Sequence, residues 1–427
     1  MGWCKRVGGV KRAEGYDEMR QDIYILGGEQ TDFARNYSRE NLAIFDLLED
    51  GLNGALSAAA LDPEEIEVAH VGNFVGELFT GQGMLGGFLG HVHPCLAGIP
   101  ASRHEGACAS GSLAILAAMA DIEAGRYDCA AVIGMEYMRN VSGKIAGDHL
   151  GAAVWVGAEA TEATYVWPAM FSDLAQEYHD RYGLNHNHLK EIARINFGNA
   201  QRNPKAQSRS WTLTDQHFAN DDELNPVVEG WMRRQDCSQI TDGAAVVFLA
   251  SETKATAYAK ARNIPLESLA RIKGWGHTTA PMLMETKLEA SKGSPYLLPW
   301  TRKAITDAYS RAGIAGPSEL DAIETHDCFT INEYIAIEHF GITEPGEAWK
   351  AVEDGRIALG GSIPVNASGG LMGIGHPVGA TGVRMALDAT RQVTGTAGAC
   401  QVEGARNVGI FNVGGSGTTN CSFVVGT

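Results

Sequence analysis

Glu105-Gly-Ala-Cys-Ala-Ser-Gly-Ser-Leu-Ala-Ile-Leu-Ala-Ala-Met-Ala120 runs from a glycine-rich turn into a stretch with no polar face. From Leu113 to Ala120 every side chain is apolar. A helix of that kind has no side to offer water and must be buried all round, as between two sheets. Its flanks fit this placement. Upstream, residues 23–26 and 68–72 read as buried strands, with a helical pattern opened by Asn41 between them. Downstream, Gly125 ends the helix and residues 129–134 form another strand candidate. The β/α alternation predicts a mostly parallel sheet covered by helices.

Farther out, residues 140–236 change character. They are richer in Trp, Tyr, His and Asn, with helical patterns over 171–182 and 188–201 and no clear strand. The segment reads as an inserted lobe, after which strand-like residues 244–250 resume the first unit. A second β/α series starts near Ala270 and includes helical patterns over 300–312 and 330–340, strands at 322–325, 408–413 and 420–425, and a helix after His376. Gly373-Ile-Gly-His-Pro-Val-Gly-Ala-Thr-Gly382 opens that helix as the Cys108 segment opens the first, so the halves look like one repeated architecture. Arg384, Asp388 and Arg391 make the second helix less uniformly apolar. The expected organisation is an N-terminal arm (1–21), a first domain (22–139 and 237–266), the insertion (140–236) and a second domain (267–427).

Composition narrows the function. A net charge of -17 argues against a nucleic-acid partner, which needs a basic face. The local cluster Arg202, Lys205 and Arg209 reads equally as a solvated loop or as a hold for a phosphorylated ligand. Eight cysteines without a CxxC pair fit a reducing compartment, and the cytoplasm is the expected location. No apolar run is long enough for a membrane span.

Three segments carry candidate chemistry. Cys108 precedes a helix among small residues, where unpaired N–H groups and the positive dipole end favour a thiolate that an ordinary cysteine populates at only about 3%. The alternative is a buried apolar cysteine. His376, in a turn stiffened by Pro377, is placed to take a proton near neutral pH, or else caps or packs. His326-Asp-Cys328 follows a strand end, where open α/β sheets build their sites; metal ligation or packing remain alternatives. His91, His93 and Cys95 have ligand-like spacing without a fourth ligand, and no metal is expected there. His186 and His188 read as a solvated helix start. Gly414-Gly-Ser-Gly417 lies between two strands, so it fails as a dinucleotide fingerprint and fits a turn whose N–H groups face a ligand.

Taken together, Glu105-Gly-Ala-Cys-Ala-Ser-Gly111, His326-Asp-Cys-Phe329, Asn366-Ala-Ser-Gly-Gly370 with Gly375-His-Pro-Val-Gly-Ala-Thr-Gly382, and Asn412-Val-Gly-Gly-Ser-Gly417 resemble the thiolase superfamily, in particular its sterol-carrier-protein and archaeal types. The resemblance covers residues 22–427. It implies an α/β fold of duplicated βαβαβαββ domains in five αβαβα layers with an inserted loop domain. It also implies a homodimer, with an additional small partner of oligonucleotide/oligosaccharide-binding fold in some relatives. No permanently bound cofactor is implied; coenzyme A and acyl-CoA would be substrates.

The implied roles are residue-specific. Cys108 would accept the acyl group, His376 would deprotonate it, Cys328 would move the proton at the α-carbon, and His326 with His376 would polarise the thioester oxygen. Backbone N–H groups of Cys108 and Gly414 would form the oxyanion hole. Commoner thiolases carry their second cysteine in a Cys-x-Gly motif where this chain has Asn412, and Cys328 is the implied substitute. A carbon–carbon lyase on CoA-linked side chains and a non-enzymatic acyl-CoA-binding subunit are the competing functions.

Overall fold

The computed structural model describes residues 22–427; the arm expected over 1–21 lies outside them. Eleven strands form: β1 (Tyr24–Gln30), β2 (Val68–Gly72), β3 (Ala101–His104), β4 (Cys129–Glu136), β5 (Val227–Glu229), β6 (Met232–Arg233), β7 (Gly243–Ala250), β8 (Ala270–Thr279), β9 (Ala322–Thr325), β10 (Asn407–Gly414) and β11 (Thr419–Gly426). Nine of them join one sheet in the order β3-β2-β4-β7-β1-β8-β11-β10-β9, while β5 and β6 pair separately within the insertion.

The sheet is mixed, which corrects the expectation of a mostly parallel one. Only β2–β3, β2–β4 and β9–β10 run parallel. These pairs come from helical crossovers inside each half. The remaining pairs are antiparallel, because β7 re-enters from the insertion in the opposite sense and β11 returns from β10 through a tight turn. The halves meet at a short seam, where Tyr24 pairs with Arg271 and Ile25 with Ala270.

Two helices lie between the half-sheets, Ser110–Glu123 and Thr381–Val393. The first packs on β2 and β4, and the second touches strands of both halves as well as the first helix. Their approach requires glycine: a methyl on Gly111 would stand 2.7 Å from the Gly379 carbonyl oxygen, and one on Gly382 2.3 Å from Ser112 Oγ. Outer helices Ile44–Ala59 and Glu252–Arg262 cover one half-sheet and Pro299–Ala312 the other, giving the expected five αβαβα layers. Asn41 does not cap the first outer helix. It sits in the left-handed region at φ 58°, and the cap falls on Ala43, whose N–H donates to Asp46 Oδ2 at 2.6 Å.

In the insertion, helices Val166–Tyr182 and His186–Ala200 pack against the buried helix Thr330–Phe340. His186 and His188 are not a solvated start: their Nε2 atoms meet Asp236 at 2.8 Å and Glu353 at 2.9 Å. Among the described residues no helix is long and apolar enough to cross a membrane.

Candidate active site

Cys108 is held at the mouth of the first central helix by a tightly tied loop. Gly106 N–H donates to Ser110 Oγ at 3.0 Å, Ser110 Oγ donates to the Ala107 carbonyl at 2.6 Å, and Ala107 N–H donates to Glu105 Oε1 at 2.6 Å. Ala107 adopts φ 51°, a left-handed conformation that costs a non-glycine residue of order 1 kcal/mol and is retained only where surrounding contacts enforce it. From the other half, His326-Asp-Cys328 leaves the end of β9, and His376 follows the glycine-rich turn Gly370–Ile374. Asp327 ties these two segments together. Its Oδ1 accepts from Leu371 N–H at 2.6 Å, and its Oδ2 accepts from Met372 N–H at 3.3 Å and Asn196 Nδ2 at 2.9 Å.

One ligand-type atom from each of Cys108, His326 and His376 falls within 4.8 Å of the others, the only such trio among the described residues. The imidazole rings stand nearly perpendicular with centroids 5.1 Å apart. Cys328 and His376 line the same cavity as Cys108, a space of about 210 Å³ walled by Phe74, Met138, Leu150, Trp167, Phe171 and Phe329. Cys237, which the motifs do not single out, also opens into it. His91, His93 and Cys95 do not gather; His93 Nε2 instead meets Asn53 Oδ1 at 2.8 Å.

Hydrogen bonding gives the two histidines opposite tautomers. Asn412 Nδ2 donates to the Cys108 carbonyl at 3.2 Å, which can only accept, so the amide group of Asn412 is oriented. The same nitrogen lies 2.9 Å from His326 Nδ1, which therefore accepts and leaves the proton on Nε2. Thr381 Oγ1 donates to the Pro377 carbonyl at 3.1 Å and so accepts from His376 Nδ1 at 2.8 Å, leaving a lone pair on His376 Nε2. Both Nε2 atoms are buried without a partner in the protein. The site thus offers one base and one N–H donor.

Its resting charge differs from the expectation of a dipole-stabilised thiolate. Burial, with Glu136 and Glu105 adding to it, pushes the Cys108 thiol up to about 12. The amides of Cys108 and Gly415 oppose the rise without overcoming it. Gly415, which follows Gly414, lines the same cavity as Cys108. Burial and the Arg384 cation bring His376 down to about 3; His326 is held well below its ordinary value by burial, His376 and Arg384. Cys328 is pushed well up by burial and by Cys108. A neutral thiol therefore faces neutral imidazoles.

No Lys or Arg lines this cavity. The Arg202–Arg209 cluster lies elsewhere: Arg209 is paired bidentately with Asp32 at 2.7 and 2.8 Å, and Arg202 and Lys205 border a separate polar cleft with Glu29 and Arg391. Sequence reasoning missed Asn412 as the residue that orients His326. Its signal was present, since a polar side chain inside an otherwise apolar strand needs a partner.

Comparison with known proteins shows the family. The family model described as "Thiolase, N-terminal domain" matches residues 23–253, and "Thiolase C-terminal domain-like" matches 285–427. The chain is 32% identical over 416 residues to an acetyl-CoA acetyltransferase of Methanocaldococcus jannaschii, covering 95% of this chain and 99% of that protein. It is 29% identical over 409 residues to chicken sterol carrier protein 2, covering 93% of this chain and 70% of that one. Among solved structures, the Ltp2-ChsH2(DUF35) aldolase superposes with a TM-score of 0.75 at 20% identity, covering 96% of this chain and 98% of that one. Human mitochondrial 3-ketoacyl-CoA thiolase in complex with CoA gives 0.67 at 17%, covering 95% and 98%.

Proposed function

From the premise that the chain belongs to the thiolase family, we propose that it moves an acyl group between 3-ketoacyl-CoA or acyl-CoA and CoA through an acyl-Cys108 intermediate. The observation that carries this reading is the convergence of the Cys108 sulfur with two histidines of opposite tautomer. The thiol is protonated at rest, so its proton passes to His376 Nε2 as sulfur attacks the thioester or ketone carbon. No preformed thiolate is required. The tetrahedral oxyanion is received by the amides of Cys108 and Gly414, with Gly415 beside them.

As that adduct collapses, the carbon–carbon bond breaks and the enolate of the shorter acyl-CoA departs. His326 Nε2–H donates to its oxygen, His376, now protonated, assists, and the Cys328 thiol gives its proton to the α-carbon. His376 then returns its proton to the Cys328 thiolate, takes the proton of the CoA thiol as that attacks acyl-Cys108, and hands it to the Cys108 sulfur as the second product leaves. Condensation runs the same steps backwards, with the Cys328 thiolate removing the α-proton. Apolar walls on the Cys108 cavity favour acyl groups larger than acetyl. A homodimer acting in cytoplasmic lipid metabolism belongs to the same reading, since Cys108 must stay reduced.

The test is acetoacetyl-CoA and longer 3-ketoacyl-CoAs mixed with CoA, with loss of substrate followed alongside intact-protein mass. Turnover with an acyl adduct on Cys108 is expected. Absence of turnover at every chain length, from protein whose Cys108 still titrates as a free thiol, overturns the reading.

The higher TM-score of the aldolase complex favours a second reading, a carbon–carbon lyase working with a DUF35-type partner. Such a lyase has no use for an acyl-cysteine, so retained turnover in Cys108→Ala would select it.

A further inference from the structure

Lys287 is fully buried, 0% exposed, in the helix Met284–Ser291, outside every motif that marks the site. Its three ammonium hydrogens have three neutral acceptors: the Met282 carbonyl at 2.9 Å, Ser416 Oγ at 2.7 Å and Thr418 Oγ1 at 3.0 Å. A lysine ammonium has three donors and accepts nothing, so the cage matches its charged form. Burial still pulls Lys287 down to about 8, with Glu159 acting against that. Glu159 does not itself bond the ammonium; its oxygens accept from Met284 N–H at 2.6 Å and Trp155 N–H at 3.2 Å.

Ser416 and Thr418 belong to the turn between β10 and β11, which begins with Gly415; Gly415 lines the same cavity as Cys108, and its amide acts to lower the thiol. Backbone bonds close that turn, Thr418 N–H donating to the Gly414 carbonyl at 3.1 Å, but apart from Lys287 no bond among the described residues holds the Ser416 side chain. Gly415 and Gly417 sit at φ 64° and 84°, where glycine is freest. Donors that stabilise developing negative charge work only when held in place beforehand. We propose that Lys287 is a positioning residue for acyl transfer, its ammonium clamping Ser416 and Thr418 so that the Gly415 amide stays against the Cys108 sulfur. The inference rests on the acyl-transfer reading for its kinetic consequence, but not for its effect on the sulfur.

The experiment follows alkylation of Cys108 by iodoacetamide against pH in the full-length protein, read by peptide mass spectrometry. Exposed Cys95 in the same chain serves as internal control. The charged groups around the sulfur that shape the profile, Glu136 and Glu105 with His326 and His376, are left intact. In Lys287→Met, Cys108 alkylation at pH 8 should slow roughly tenfold with its profile moved to higher pH, Cys95 unchanged. Thiolysis kcat should fall roughly ten- to hundredfold with KM held within about threefold, as expected when an amide donor beside the nucleophile is loosened. Lys287→Arg should recover part of both losses. Ser416→Ala, which removes the shortest clamp bond and keeps the lysine, should shift the profile in the same direction by less, and it decides the matter if Lys287→Met does not fold. An unchanged Cys108 profile in the folded variants, whatever their melting temperature, overturns the clamp. A shifted profile in a protein without thiolysis would retain the clamp and reject the acyl-transfer reading.

Discussion

The two central helices occupy equivalent places and solve burial differently. Ser110–Glu123 turns small and apolar residues to β2 and β4 and to the second helix, and carries no charge before Asp121. Thr381–Val393 is the more deeply buried, every residue but Arg391 being enclosed, yet it places Arg384 at 0% exposure; in the first helix Leu113, Leu116 and Ala117 are only half-buried and Ala120 is exposed. Arg384 Nη1 meets Asp388 Oδ2 at 2.8 Å, Ser368 Oγ at 3.0 Å and Glu324 Oε2 at 3.2 Å, so the charge is matched inside the protein. Burial is set by whether polar groups find partners as much as by apolarity. The division extends to chemistry. The helix whose first turns carry no charge presents the nucleophile, while the other sits behind both histidines and its Arg384 cation helps keep them unprotonated.

The most damaging test of this division is Cys108→Ala. Thiolysis should drop to background and acyl labelling should vanish, as measured by CoA-ester absorbance and intact mass; persisting turnover would remove the nucleophile from the first half. Next, His376→Gln should lower kcat about 10²- to 10⁴-fold, the usual scale for a lost general base. His326→Gln should cost roughly 10²-fold, as for a lost donor. Equal effects in a double-mutant comparison would erase the base/donor distinction.

Arg384→Met should destabilise the fold by about 3–5 kcal/mol in urea melts, because Glu324 and Asp388 lose their buried cation. A neutral result would mean that the second helix tolerates apolar burial as the first does.

A further test concerns pH. Glu333, buried beside Asp327, is pushed up to about 8 from an ordinary 4.5, so the folded protein keeps a proton that the unfolded chain has lost. Its contribution is complete below pH 4.5 and is lost as pH rises towards 8, and Glu333→Gln should flatten that alkaline decline in Tm. His376 acts in the opposite sense: lowered to about 3 from 6.5, it favours the folded state above pH 6.5 and less so as pH falls towards 3.

Much of this was legible in the sequence for local reasons. The all-apolar run after Leu113 announced a central helix, though not one buried all round, since Ala120 is exposed and Leu113, Leu116 and Ala117 are half-buried; glycine-flanked Cys108 and His376 marked turns that open on one cavity. Strand direction was not legible, because β/α alternation predicts parallel pairing and says nothing of how β7 returns after a long insertion. Deep burial of Arg384 was hidden as well: its partners Glu324 and Ser368 are remote in sequence. Lys287 gave no signal because its role depends on a turn more than a hundred residues away.

The seam between the half-sheets has a consequence for biosynthesis. β1 emerges from the ribosome first, but one of its long edges waits for Ala270 and Arg271 to be made, and the backbone groups of Tyr24 and Ile25 stay open on that side meanwhile. A nascent chain holding a bare strand edge can recruit another strand in place of the correct one. Slowed translation between β7 and β8 should therefore lower soluble yield more than an equal pause after β8.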